Sequence, residues 1–154
     1  MKILRDGLYF SEGDSLAACA AIAGEDVSRY SFDRVDFAVS LIPKNNAAFE
    51  QAMMALTVDY PPSEISSWER QRAEALAWQA DSAAPTPWID IAAQVRGLDR
   101  DDYLQRTVDK VHLFAQASAF LVGRRQAIDD SIRQATTVAE LEAIVIDYTL
   151  PGGA

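Results

Sequence analysis

The chain reads DRDDYLQRTVDKVHLFAQASAFLVGRRQAIDDSIRQA from Asp99 to Ala135, and this stretch predicts one long α-helix that decides the architecture. Asp99 suits the N-cap position, and the acidic residues after it favour the positive end of the helix dipole. One set of positions recurs at steps of four and three, apolar at first and polar later: Leu104, Val108, Val111, Ala115, Ser118, Val122, Arg125, Asp129 and Ile132. Such a heptad seam requires a partner helix.

Residues 64–80 are the first candidate for that partner helix. The prolines before Ser63 forbid a helix upstream, Ser63 can cap the new one, and Trp68 lies on the stripe that would pack antiparallel to the long helix. Several large side chains lie off the seam and need more apolar cover than one helix provides: Leu113, Phe114, Phe120, Leu121 and Ile128. A second copy of the chain or another protein is a natural source of that cover. The sequence leaves open whether the seam is used within one chain or between two.

Shorter helices are predicted on both sides of the long one. Thr86 caps a helix that starts at Pro87, where a missing amide proton costs nothing, and that ends at Gly97. Thr137 caps a last short helix before a loose tail, Pro151–Ala154. Within the long helix, two acidic and basic pairs stand four residues apart in the order that favours ion pairs. These pairs are Asp102 with Arg106 and Asp129 with Arg133.

The first residues of the chain predict a β-hairpin. Asp6-Gly7 tolerates the positive φ angles of a two-residue turn, and it separates two partly apolar runs. These runs are Lys2–Arg5 and Leu8–Phe10. A short alanine-rich helix over 16–23 follows, with Ser15 as its cap and Gly24 as its end.

The stretch 34–42 predicts a half-buried strand that ends at Pro43. Its apolar residues alternate with smaller or polar ones and fall on one face: Val35, Phe37, Val39 and Leu41. A helix is the competing interpretation of the same residues. After Pro43 a short helix is expected over 47–58.

These elements together predict an α+β fold. A small mixed unit of hairpin, short helix and strand occupies residues 1–44, and a mainly helical unit occupies residues 45–154. In the second unit, the long helix packs in a helical hairpin or bundle.

Composition excludes several classes of function. The net charge is −9, most of it after residue 44, which disfavours nucleic acid because phosphate contacts need a clustered basic face. The single cysteine, Cys19, excludes an intramolecular disulfide and fits a reducing cytoplasm. No apolar run is long enough to predict a membrane span.

The chain offers little for catalysis or metal binding. His112 is its one histidine, without a cysteine nearby, so a metal site or cofactor is not expected. No phosphate-binding glycine loop, nucleophile elbow or Cys-His arrangement is present. We therefore predict that the protein is not an enzyme.

Three tryptophans stand ten residues apart: Trp68, Trp78 and Trp88. Packing inside the helical unit explains them most simply. The alternative is that one or two are exposed anchors for a partner, because tryptophan supplies a large contact area at low entropy cost. Trp88, just inside its helix, is the preferred candidate for such an anchor.

About residues 60–127 resemble the C-terminal helical region of bacteriophage tail fibre assembly proteins, and of related proteins in prophages and phage-tail-like bacteriocins. The residues that carry the resemblance are Tyr60-Pro61, Glu64, Trp68, Gln71, Glu74-Ala75, Ala77, Asp81, Ala84-Pro85-Thr86-Pro87, Ala92-Ala93, Arg96-Gly97, Lys110, Phe114 and Gly123-Arg124-Arg125-Gln126-Ala127. The first 44 residues lie outside it.

The resemblance implies a chaperone that binds the receptor-binding C-terminal part of a tail fibre and promotes its folding and trimerisation in the bacterial cytoplasm. The first 44 residues take nothing from the resemblance, and our own hypothesis is that the N-terminal unit contacts strand edges of the fibre through Leu8, Tyr9, Phe10 and the predicted strand. The helical unit would form a homodimer or provide a second grip. Two other functions remain open: a structural component or adaptor retained in the virion tail, and a host-directed helical inhibitor.

Overall fold

The structure, a computed structural model, describes residues 1–152 and has an α+β fold. A small antiparallel sheet near the N-terminus is followed by a mainly helical region. The elements are β1 Lys2–Arg5, β2 Leu8–Glu12, α1 Leu16–Ala23, a 3-10 turn Val27–Arg29, β3 Tyr30–Phe32, α2 Arg34–Ala55, α3 Pro62–Ile65, α4 Trp68–Ala80, α5 Pro87–Arg96, α6 Arg100–Gln134 and α7 Val138–Glu142.

The chain forms two compact units. The first unit contains Met1–Gln51 together with the chain from Val122 onward, and the second unit contains Ala52–Leu121. The boundary expected near residue 45 lies inside α2.

The predicted hairpin is confirmed as β1 and β2. Asp6 and Gly7 have φ angles of 52° and 81°, as the two-residue turn requires. β1 lies between its partners in the order β2-β1-β3, which leaves β2 and β3 at the edges of the sheet. Ile3 and Ala20 are buried beneath it, so α1 and β1 share a small core.

The predicted α1 is also confirmed. The Ser15 hydroxyl accepts from the Ala18 amide at 3.2 Å, and Gly24 ends the helix with a φ of 67°. Polar side chains join the sheet to the 3-10 turn, because Arg29 donates to Asp6 and the Tyr30 hydroxyl donates to Glu25 at 2.7 Å. These hydrogen bonds lower the pKa of each carboxyl group below its ordinary range.

The strand predicted over 34–42 is wrong, because these residues form the first half of α2. The Asp33 carboxylate accepts from the amides of Val35 and Asp36, both at 3.1 Å, which starts a helix. Val35 and Val39 are exposed, whereas Phe37 and Leu41 pack in the core of the first unit. The two core residues, Phe37 and Leu41, are four positions apart, and this spacing puts them on one face of either an α-helix or a β-strand. Pro43 lies inside α2, and the helix expected over 47–58 is the end of α2.

The core of the first unit packs α2 against α7 and the last part of α6. Its buried members are Leu41, Ile128, Ile132, Ala135 and Leu141. α7 begins at the predicted cap, where Thr137 and Glu140 form a reciprocal capping box. The predicted tail lies partly outside the described residues.

Asn45, fully buried, is the polar centre of this unit. Its amide nitrogen donates to the Arg125 carbonyl at 3.1 Å and to the Asp129 carboxylate at 2.9 Å. Its carbonyl oxygen accepts from the Tyr148 hydroxyl. One side chain thus satisfies buried polar groups on α6 and on the segment after α7.

The long helix is confirmed as α6, and Asp99 caps it through the Asp101 and Asp102 amides at 2.9 and 3.0 Å. The two predicted ion pairs along it, at 102/106 and 129/133, are wrong for the described residues, since Asp129 pairs with Arg125 at 3.0 Å.

The single helix predicted over 64–80 is divided into α3 and α4. α3 starts after Pro61, without a cap from Ser63. The Ser66 and Ser67 hydroxyls donate to carbonyls three residues earlier, both at 2.7 Å, at the break between the helices. Among the helices of residues 1–152, none combines the length and apolar character that a bilayer span needs.

Replacing the buried amide tests the role of Asn45. We expect Asn45→Ala to lower the free energy of unfolding by about 1 to 3 kcal/mol, because the Tyr148 hydroxyl and the groups on α6 lose buried partners. Urea denaturation measures the loss. The exposed neighbour Asn46→Ala is the matched control, and equal losses in both variants would contradict the assignment.

Candidate partner-binding groove

The first part of the predicted seam lies in the core of the second unit. Leu104 and Val108 of α6 are buried against Ala75 of α4 and Ile89 of α5. The middle of the seam is not buried in this way, since Val111 is half-buried and Ala115 and Val122 are exposed.

Glu74 joins α4 to α5 by capping the second helix. Its carboxylate accepts from the Trp88 amide at 3.1 Å and from the Ile89 amide at 3.0 Å. The predicted side-chain cap from Thr86 is wrong, because the Thr86 hydroxyl donates to the Asp90 carboxylate instead, at 2.8 Å. The first amides of α5, which have no partner within their own helix, are thus satisfied by a side chain of α4.

Arg100 at the start of α6 completes this junction. Its guanidinium donates to the Asp90 carboxylate at 2.7 Å and to the buried Thr86 hydroxyl at 2.7 Å. The hydrogen bond from Arg100, helped by that from Thr86, lowers the pKa of Asp90. The ends of α5 and α6 are thereby fixed relative to each other within this unit.

A groove of about 920 Å³ opens beside this core, and every residue that lines it belongs to the second unit. One wall is a stripe of α6, and the other is formed by α3, the first half of α4 and the chain before α3. We call it the groove throughout. Its main apolar residues are Leu56, Tyr60, Trp68, Tyr103, Val111, Leu113 and Phe114.

A connected series of side chains stiffens the groove. The Tyr60 and Trp68 rings meet edge to face at 5.1 Å, and the Trp68 and Phe114 rings do so at 5.9 Å. The Lys110 ammonium lies 5.5 Å from the centre of the Tyr60 ring. Leu113 beside them is 65% exposed, so the groove offers apolar surface to solvent.

The charge of the groove is opposite to that of the chain. Four cations line it, and only Arg72 has an acidic partner there, Glu69 at 3.5 Å. Within residues 1–152, Arg96, Arg106 and Lys110 have no carboxylate within ion-pair distance. Glu64 is the other acidic residue of the lining. A chain of net charge −9 thus carries a locally basic, aromatic groove.

The predicted partner-binding residues occupy different places. Leu8, Tyr9 and Phe10 lie on the edge strand β2, where Leu8 is 75% exposed. Trp88 is partly buried and packs against the core of the second unit, as Trp78 does. Trp68 is the tryptophan that lines the groove.

Several groove residues were missed as site residues. Tyr103, Arg106, Lys110 and Phe114 recur at steps of three and four along α6, which puts them on one face. This mixture of aromatic and cationic side chains at helical spacing was a usable signal.

The side chains of the groove are suited to binding. In the described part of the chain, no group of three or more metal-ligating side chains is close enough to hold an ion, and His112 is exposed. Aromatic edges, an exposed leucine and three unpaired cations can contact another molecule by burial and charge.

Comparison with known proteins gives one partial match. A family model described as the HI1402 helical domain matches residues 109–146, less than half of the chain, which run from the middle of α6 past α7. No curated protein and no solved structure shows a significant match. The match includes Lys110 and Phe114 of the groove.

The cap from Glu74 is testable by one substitution. We expect Glu74→Ala to lower the free energy of unfolding by about 1 kcal/mol, because two amides at the start of α5 lose their acceptor. Glu69→Ala, on the exposed side of the same helix, should change it by less than about 0.5 kcal/mol. Urea denaturation compares them, and an equal change would contradict the role of Glu74.

Proposed function

We propose that this protein is a tail fibre assembly chaperone of a phage, prophage or phage-tail-like bacteriocin, acting in the bacterial cytoplasm without catalysis or a cofactor. The observation that carries the proposal is where the residues of the resemblance lie. Seven of them line the groove although they span more than fifty positions of sequence: Tyr60, Glu64, Trp68, Gln71, Arg96, Lys110 and Phe114.

Other residues of the resemblance build the frame of the groove. Glu74 caps α5, Ala75 and Ala93 are buried, and Gly97 ends α5 with a φ of 66°. The resemblance therefore includes both a scaffold and the surface that the scaffold presents. Lys110 lies over the Tyr60 ring in the open groove, a contact that the packing of the scaffold does not need.

The groove suits the task of a fibre chaperone. A trimeric fibre must keep apolar surface from wrong contacts until its three chains interlock. Rigid aromatic side chains cover such surface at low entropy cost, because few rotatable bonds are lost on binding. We infer that the groove holds an exposed segment of the C-terminal part of the fibre until trimerisation buries that segment.

The N-terminal unit provides a second candidate contact. Its predicted strand over 34–42 is helical, so that part of the expected strand-to-strand contact is withdrawn. β2 is still an edge strand with Leu8 and Tyr9 exposed, and an edge strand can pair with an extended segment.

Co-expression tests the proposed function. We expect the fibre protein encoded beside this chain to form soluble trimer only when this protein is present, measured by size-exclusion chromatography with light scattering. Leu113→Ser should reduce the yield of trimer, because it removes exposed apolar surface from the groove. Val95→Ser is the matched control, since Val95 is 82% exposed and lies outside the groove.

A fibre that trimerises equally well alone would contradict the chaperone assignment. Stable retention of this protein in purified particles would favour a structural component of the tail instead.

A further inference from the structure

We propose that the groove binds an acidic segment of its partner, in which large apolar side chains are flanked by carboxylates. This inference rests on the proposed function for the identity of the partner, the tail fibre protein. It concerns the chemistry of the same groove, which neither the resemblance nor the fold specifies.

The groove carries unpaired positive charge. The chain has 23 acidic and 14 basic residues, yet Arg96, Arg106 and Lys110 line one groove without acidic partners in the described residues. On α6, Asp102 stands four residues before Arg106 and still forms no ion pair with it in this part of the chain. Three cations therefore remain available to carboxylates from outside.

Two of these cations, Arg96 and Lys110, are already positioned by aromatic rings. The Arg96 guanidinium lies 5.3 Å from the centre of the Tyr103 ring, and the Lys110 ammonium lies over the Tyr60 ring. Side chains held in this way lose less conformational freedom on binding than free surface cations. An incoming carboxylate thus gains charge attraction at a reduced entropy cost.

Cationic and apolar side chains follow one another along the α6 wall of the groove. Arg106 and Lys110 are separated by one turn, and the apolar pair Leu113 and Phe114 follows one turn later on the same side. A matching partner presents carboxylates one turn from a large apolar side chain. Amphipathic acidic segments have this pattern.

The groove is long enough to hold a peptide segment. Its volume is about 920 Å³, near the upper end of small-molecule sites, and it follows α6 from Tyr103 to Ser118. With a rise of 1.5 Å per residue, this is a trough of roughly 22 Å. A peptide segment of about four helical turns fits that length.

The charge of the rest of the chain adds selectivity. A net charge of −9 repels an acidic segment from the surface on average, so attraction is expected where cations lie close together, as they do in the groove. The same net charge disfavours nucleic acid, and the apolar floor around Leu113 has no role in phosphate binding.

Two labelled synthetic peptides test the inference. Both have fifteen residues with leucine at steps of three and four, and the remaining positions are mainly glutamate in one and lysine in the other. We expect fluorescence anisotropy to show binding of the glutamate peptide, at least about tenfold tighter than the lysine peptide at low salt and weaker as salt rises.

Charge reversal locates the binding in the groove. We expect R106E/K110E to weaken binding of the glutamate peptide by about tenfold or more. The matched control is K44E/R70E, which changes the net charge by the same amount at two exposed cations outside the groove lining. Circular dichroism confirms that each variant is folded.

Any of three results would overturn the inference. The lysine peptide binds as tightly as the glutamate peptide, the R106E/K110E and K44E/R70E variants bind the glutamate peptide alike, or an oligo(dT) probe displaces the labelled glutamate peptide better than the same peptide without a label does. A wild-type dimer that R106E/K110E dissociates, seen by sedimentation, would also overturn it, because a second copy would then be the occupant.

The outcome separates this inference from the proposed function. If R106E/K110E still rescues soluble fibre at the wild-type level, the inference of an acidic segment is rejected and the chaperone function is retained. Selective peptide binding without any rescue of fibre would support the chemistry of the groove and reject the chaperone.

Discussion

The groove depends on the packing of three helices in the second unit. Leu104 and Val108 of α6 are buried together with Ala75 of α4 and Ile89 of α5. Glu74 fixes the start of α5 by capping its amides, and Arg100 ties Asp90 to the start of α6. With these contacts in place, one stripe of α6 faces the groove as a single wall.

Aromatic side chains of similar type have different roles in this unit. Trp78 and Trp88 pack against the buried core, whereas Trp68 joins Tyr60 and Phe114 in the open groove. Their sequence spacing of ten residues does not distinguish these roles. The neighbours across the fold do, because Trp68 meets residues that are eight positions before it and more than forty after it.

Sequence was sufficient for elements that carry local signals. The Asp6-Gly7 turn, the Ser15 and Thr137 caps and the two ends of α6 each depend on residues within a few positions of one another. The stretch 34–42 was wrongly predicted as a strand because Phe37 and Leu41 satisfy both the helical and the strand period, although Asp33 supplies a helix cap just before it. The cap from Glu74 and the unpaired Arg106 depend on distant residues, which no local pattern predicts. The groove was thus only partly predictable, through Trp68 and the helical spacing on α6.

Site-specific photocrosslinking tests most directly whether the groove holds the fibre. A photoreactive phenylalanine analogue replaces Leu113 in the groove, Val95 on the exposed side of α5, or Tyr9 on β2, and each variant is co-expressed with the neighbouring fibre protein. We expect a strong crosslink to the fibre from position 113 and none from position 95, and any crosslink from position 9 would mark the second contact. Absence of a crosslink from position 113, in cells where the same variant yields soluble fibre, would contradict the claim.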